Sequence, residues 1–159
     1  GTGANFALYP DAVEGVVALD PEARMLAIAR RKAAMAGVPV AFVAASAEAL
    51  PFPDGSFDTV VATLVFCTIP DPVRALDEAV RVLAPDGRAL FLEHVRSSSP
   101  ALGLLMDVAT PVQRVVAAGC HLNRRTASLV TAAGFRIESL VERFRGSLVE
   151  IVAAAPARS

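Results

Sequence analysis

The sequence predicts an α/β fold, a doubly wound, mostly parallel sheet finished by a C-terminal antiparallel hairpin. Three observations predict it. Short apolar runs alternate with stretches whose apolar residues recur at helical spacing, and that alternation demands crossovers between parallel strands. One run, Phe57 to Phe66, is almost continuously β-branched and aromatic, the pattern of a strand buried on both faces. The last two apolar runs, Phe135 to Phe144 and Leu148 to Ala155, are separated by a short Gly146-Ser147 turn that leaves no room for another crossover helix.

Each element has a local cause. Glu14 to Asp20 is a short apolar run ending in an acid, and Pro21 suits the first turn of the helix that follows. That helix, Glu22 to about Ala36, carries Met25, Leu26, Ala29, Ala33 and Met35 near helical spacing and stops at Gly37. Val40 to Ala44 is the second strand. A loop with Pro51, Pro53 and Asp54-Gly55 leads into the long buried strand. Asp71 can cap a helix with Pro72 at its first position and Ala75, Leu76, Ala79, Val80 and Leu83 as its stripe. Asp86-Gly87 then turns the chain into a strand from Arg88 to Val95. Beyond Ser97-Ser98-Ser99-Pro100, Ala101 to Ala118 is helix-prone, with Pro111 expected to interrupt it, and Arg124 to Ala133 forms a second helix ended by Gly134.

Composition narrows the function. With 159 residues, 54% hydrophobic and 19% charged, the chain is the size of one globular domain with a real core. Fifteen basic residues against sixteen acidic ones leave a net charge of -1, which provides no field for nucleic acid. Fourteen of the basic residues are Arg and one is Lys32, a coding bias that carries no functional weight. Cys67 and Cys120 are too far apart in sequence for a metal-ligand spacing or a disulfide framework, so no metal is expected and a reducing, cytoplasmic setting fits. The longest uncharged run, Thr59 to Pro70, is too short to span a bilayer.

Four stretches, in this order and spacing, carry a resemblance: Gly1-Thr2-Gly3-Ala4-Asn5, Ala18-Leu19-Asp20-Pro21, Ala47 to Asp58 (AEALPFPDGSFD) and Ala79 to Glu93 (AVRVLAPDGRALFLE). The chain resembles the class I S-adenosylmethionine-dependent methyltransferases, a Rossmann-like family. Within it, the chain is similar to the branch holding quinone C-methyltransferases and thiol methyltransferases. Gly119-Cys120-His121-Leu122-Asn123-Arg124 looks like the thiol-methyltransferase side of that branch. The likeness runs from Gly1 to about Phe144. It implies one methyltransferase domain over 1-159, with a cofactor-binding part at 1-96, substrate-covering helices at 97-134 and the terminal hairpin at 135-155.

The resemblance implies S-adenosyl-L-methionine as cofactor and assigns its contacts. Gly1 and Gly3, lacking Cβ, let the backbone approach the methionine and ribose part closely. Asp20, followed by Pro21, would accept hydrogen bonds from the ribose hydroxyls. Ser46, Ala47 and Glu48 would meet adenine, with Leu50-Pro51-Phe52 beside it, although many relatives carry an acid where Ser46 stands. Thr63, with Leu64 and Cys67, would line the crevice at the strand ends. In the family the glycine loop follows a first central strand, so the sheet is expected to lack that strand here. The chain alone is expected to be unstable or to pair with something.

Methyl transfer from a sulfonium needs alignment and exclusion of water more than a catalytic triad. Where an acceptor must lose a proton, His94 and His121 are the candidates. His94 follows Glu93 on a strand, so their side chains point to opposite faces and only one can address the pocket. Nothing near Cys120 announces a lowered pKa, and it reads as a buried small residue. Leu102, Leu104, Leu105, Met106, Val108, Val112, Val115 and Val116 make the cover apolar, suggesting a small lipophilic methyl acceptor, contact with a membrane surface, or an ordinary core-facing helix pair. Oligomeric state is left open. Two other readings stand beside methyl transfer: an NAD(P)-dependent oxidoreductase, since Asp20 could hold that ribose although Phe6 occupies the third-glycine position, and a truncated, non-catalytic methyltransferase-like protein.

Overall fold

The computed structural model describes residues 1–34, 36–116, 120–121 and 123–157, without the side chains of 114–116. Expectations placed on Met35, on Val115 and Val116, on Ala117 to Gly119 and on Leu122 therefore lie outside the described residues. The chain forms two compact units, Gly1–Pro51 and Phe52–Ser159.

In the first unit, strand β1 (Val16–Leu19) runs parallel to strand β2 (Val40–Val43), with Val16 opposite Val40 and Leu19 opposite Val43. Helix α1 (Ala23–Ala33) joins them and ends earlier than its apolar spacing predicted. Leu26 and Ala29 carry its buried stripe, whereas Met25, expected in that stripe, is 41% exposed. Arg30, Arg31 and Lys32 in the last turn complement the negative end of the helix dipole. A short 3-10 turn, Phe6–Leu8, was not foreseen; it buries Phe6, whose ring meets Phe42 edge to face at 6.2 Å.

The second unit holds β3 (Phe57–Thr63), α2 (Pro72–Val82), β4 (Leu83–His94), α3 (Pro100–Val116), α4 (Thr126–Ala132), β5 (Arg136–Arg143) and β6 (Leu148–Ala154). Its sheet has the order β3-β4-β6-β5. β3 and β4 are parallel, and β6 is antiparallel to both β4 and β5, so the mixed α/β fold with a terminal hairpin is as predicted. Asp71 caps α2 by accepting the Arg74 N–H at 3.0 Å, with Pro72 at the first position. Leu76 and Val82 are wholly buried along α2, and α2 touches α4. Phe66, Phe91 and Phe135 form an edge-to-face chain through the core at 5.6 and 6.0 Å.

Several expectations give way. The strands form two sheets, β1-β2 and β3-β4-β6-β5, because no described strand pairs with the second edge of β1 or of β3. β4 starts at Leu83, not Arg88: Leu83 pairs with Phe57, the chain bulges, and pairing resumes with Arg88 opposite Thr59. β3 is not buried on both faces, since Val61 is 40% exposed and Ala62 is its buried residue. α3 runs through Pro111 without interruption, and just before it the Thr110 hydroxyl donates to Met106 O at 2.7 Å.

Leu76 carries much of the packing of α2. Leu76→Ala should destabilise the chain by about 2–5 kcal/mol through lost transfer energy and a cavity, while Val73→Ala, on the 53% exposed side of the same helix, should cost under about 1 kcal/mol. Urea unfolding of both variants checks this; equal losses would mean that α2 does not bury the stripe described.

Candidate functional site

The residues assigned to a nucleotide-type cofactor gather, in the first unit, at the carboxyl ends of β1 and β2. Gly3 has φ +70, a conformation favouring glycine, and a Cβ built on it would collide with the Phe6 ring. Phe6 therefore fixes the loop from below while Gly3 permits the turn. Asp20 Oδ1 accepts the Glu22 N–H at 2.8 Å, bracing Pro21 and the start of α1. The Asp20 N–H donates to Val43 O at 3.3 Å, which ties the end of β1 to the end of β2. Just beyond β2, Ser46 Oγ donates to Glu48 Oε2 at 2.8 Å and accepts the Glu48 N–H at 3.2 Å, while the Ala49 N–H bonds Ser46 O. Ser46, Ala47 and Glu48 thus sit on one braced turn, all half-buried. This donor set fits a ribose-bearing cofactor: Gly3 lets the loop turn without a Cβ, and the Asp20 carboxylate has acceptor sites beyond the one Glu22 uses.

In the second unit, Thr63 is half-buried at the end of β3, and Leu64 follows it with φ 54, a conformation uncommon for a branched side chain. The Leu64 N–H still reaches Leu92 O at 2.8 Å, so the strand leaves the sheet abruptly at this residue. Glu93, completely buried at the end of β4, receives the loop that follows: Oε1 accepts the Val65 N–H at 3.0 Å and Oε2 the Phe66 N–H at 3.1 Å. Burial pushes its pKa up to about 7, against the opposing pull of those N–H donors and of the Arg124 guanidinium. Arg124 donates to Phe66 O. His121 donates its backbone N–H to Cys67 O at 2.8 Å, and its Nδ1 lies 3.3 Å from that oxygen and 3.4 Å from Arg124 Nη2. His94 is exposed, so of the two neighbours on β4 it is Glu93 that faces inward. Phe52, half-buried, packs edge-on against Phe57 at 5.0 Å, and its carbonyl accepts from Arg81.

Sequence reasoning missed two things here. Glu93 was recognised only as the neighbour of His94, although it organises the whole loop. The two cysteines, too distant in sequence to suggest a pair, are brought near each other by the fold: the His121 N–H bonds Cys67 O at 2.8 Å, and the Cys120 side chain helps push the Cys67 thiol pKa up. A depression of about 200 Å³ on the sheet face, lined by residues including Val61, Thr63, Leu90 and Val152, is almost wholly apolar. Leu104, Leu105, Val108 and Val112 form an exposed apolar stripe on α3, each more than 60% exposed. No helix among the described residues is long and apolar enough to cross a membrane.

Comparison with known proteins places this geometry. A family model described as a methyltransferase domain matches residues 1–91. A demethylmenaquinone methyltransferase of Thermus thermophilus is 44% identical over 110 residues, covering 68% of this chain and 50% of that relative. A thiol S-methyltransferase of Rattus norvegicus is 34% identical over 150 residues, covering 85% of this chain and 57% of that relative. The chain spans about half the length of these curated relatives. Among solved structures, the YcgJ protein from Bacillus subtilis superposes with a TM-score of 0.72 at 19% identity, covering 97% of this chain and 86% of that one, which shows the shared fold.

The raised pKa of Glu93 has a thermodynamic signature. Folded Glu93 keeps its proton to about 7, whereas the unfolded chain loses it near 4.5, so the folded state is favoured at low pH and that advantage is lost as pH rises through this window. The loss should be on the order of 3 kcal/mol. Urea midpoints between pH 4.5 and 7.5 should fall more steeply for the wild type than for Glu93→Gln; parallel curves would remove Glu93 as their cause.

Proposed function

We propose, from the premise that the chain belongs to the methyltransferase domain family and is a class I, S-adenosylmethionine-dependent member, that it transfers a methyl group to a small apolar acceptor. The observation that carries this is the placing of Asp20, at the end of β1, beside the braced Ser46-Ala47-Glu48 turn beyond β2, with the Asp20 N–H bonded to Val43 O at 3.3 Å and Gly3 turning at φ +70. When bound, S-adenosyl-L-methionine supplies the electrophilic methyl group. Asp20 holds the ribose hydroxyls through carboxylate oxygens, the backbone at Gly1 and Gly3 accommodates the methionine part, and the Ser46-Ala47-Glu48 turn receives adenine. By the chain's resemblance to the family, Thr63 is assigned to the methionine end. Phe6, packed on Phe42, occupies the position where a dinucleotide-binding loop requires its third glycine, which disfavours the oxidoreductase reading.

The protein's part in the chemistry is alignment and proton handling. His121, half-buried and oriented through Nδ1 towards Cys67 O and Arg124, has Nε2 with which to take a proton from the acceptor. The exposed His94 has no comparable support. The exposed stripe on α3 supports an apolar acceptor. A thiol is the first acceptor to test, because the thiol-methyltransferase relative aligns over 85% of the chain, well past residue 91, while the quinone relative, though more identical, covers 68%.

Calorimetry with S-adenosylhomocysteine should show binding, weakened roughly 10- to 100-fold in Asp20→Ala, the loss of a charge-assisted bidentate contact. Unchanged affinity in that variant would sink the cofactor reading. With an apolar thiol acceptor, His121→Ala should lower kcat by about 100-fold with KM little changed, whereas His94→Ala should stay within about threefold. The reverse order would exchange their roles.

A further inference from the structure

Two thiols that the reading above leaves unused meet where the loop after β3 adjoins the segment before α4. The His121 N–H donates to Cys67 O at 2.8 Å, so the chain at 120–121 is bonded directly to the chain at 67. Both sides are anchored by other backbone contacts: Glu93 holds the N–H groups of Val65 and Phe66, and Arg124 holds Phe66 O. Across this junction the Cys67 thiol donates to Leu64 O at 3.7 Å, and the Cys120 side chain lies near enough to act on it. The backbone bond at 67 and 121 brings the two chain segments within the span a disulfide bridges, so the bond closes by rotation of the two side chains.

We propose that Cys67 and Cys120 are a redox modification site, closing reversibly into an intramolecular disulfide that ties the loop after β3 to the chain at 120–121. Their surroundings set the order of events. Cys67 is 5% exposed, whereas Cys120 is half-buried and is the sulfur that a solvent oxidant reaches. Burial, the Cys120 thiol and the negative charge of Glu93 push the Cys67 thiol up to about 12, which keeps it protonated and slow towards external reagents.

The oxidant required is a hydroperoxide. The Cys120 sulfur attacks one peroxide oxygen, the O–O bond breaks, and Cys120 becomes a sulfenic acid while its proton leaves with the departing oxygen as water. The Cys67 sulfur then attacks the Cys120 sulfur, the S–O bond breaks, and the leaving hydroxide takes the Cys67 proton as a second water. Two thiols are oxidised, one hydrogen peroxide is reduced, and a dithiol reductant reverses the change.

The test is mass spectrometry of the protein treated with hydrogen peroxide, then with dithiothreitol. The intact mass should fall by about 2 Da, a non-reduced digest should join the Cys67 peptide to the Cys120 peptide, and dithiothreitol should restore both. In Cys67→Ser, Cys120 should stop at the sulfenic acid and be trapped by dimedone; in Cys120→Ser, neither the mass loss nor a trapped Cys67 should appear. Oxidation of Cys120 to the sulfinic acid in the wild type without a linked peptide would overturn the proposal. So would links between molecules, or thiols that stay unreacted. None of these readouts depends on methyl transfer, so they decide the site whether or not that reading holds.

Discussion

The buried carboxylate of Glu93 is the constraint around which the loop after β3 is organised. An ionised carboxylate removed from water costs several kcal/mol unless hydrogen bonds replace its hydration. Here the replacements are backbone N–H groups of Val65 and Phe66, which are available only if the chain turns sharply at the end of β3. Leu64 makes that turn at φ 54, a strained conformation for its residue type, of order 1 kcal/mol or more. The comparison of magnitudes explains why the strain persists: straightening Leu64 would withdraw two donors from a buried charge, a larger loss than the strain relieved. Arg124 completes the arrangement by binding Phe66 O and lowering the cost of the same carboxylate.

Asp20 occupies a comparable place at the end of β1 but has the opposite physical character. Its side chain keeps access to solvent, at 16% exposure, and Glu22 supplies one N–H to Oδ1. An acid so placed is not committed to holding its own unit together, and its remaining acceptor sites suit ligand hydroxyls. One carboxylate therefore spends its oxygens on the protein, and the other keeps acceptor sites to spare. The difference follows from burial, not from residue type or position along a strand.

Much of the fold was legible because its signals are properties of single residues or short runs. Asp71 and Pro72 start α2, Gly134 stops the chain after α4 at φ 90, and the Gly146 turn closes the hairpin at φ 74. What failed depended on neighbours. The apolar run of β3 suggested burial on both faces, but burial is decided by what lies against each face, and Val61 and Leu90 are 40% and 37% exposed. Pro111 removes one N–H from α3, yet the helix continues, since a single lost bond does not outweigh the turns formed on either side of it.

The candidate site divides along the same line. Gly3 and Asp20 stand out in the sequence because the roles that the resemblance assigns to them demand particular side chains, or the absence of one. The loop after β3 is held through the carbonyls of Cys67 and Phe66, and every residue carries a carbonyl, so these contacts leave no mark on composition or spacing. Alternation along β4 did show that Glu93 and His94 face opposite ways. It could not say which faced inward, because Ala89, Phe91 and Val95 on one face are matched by Leu90 and Leu92 on the other. Apolar residues on both faces of a strand erase the parity signal, and a buried acid is legible from sequence only where one face is clearly polar.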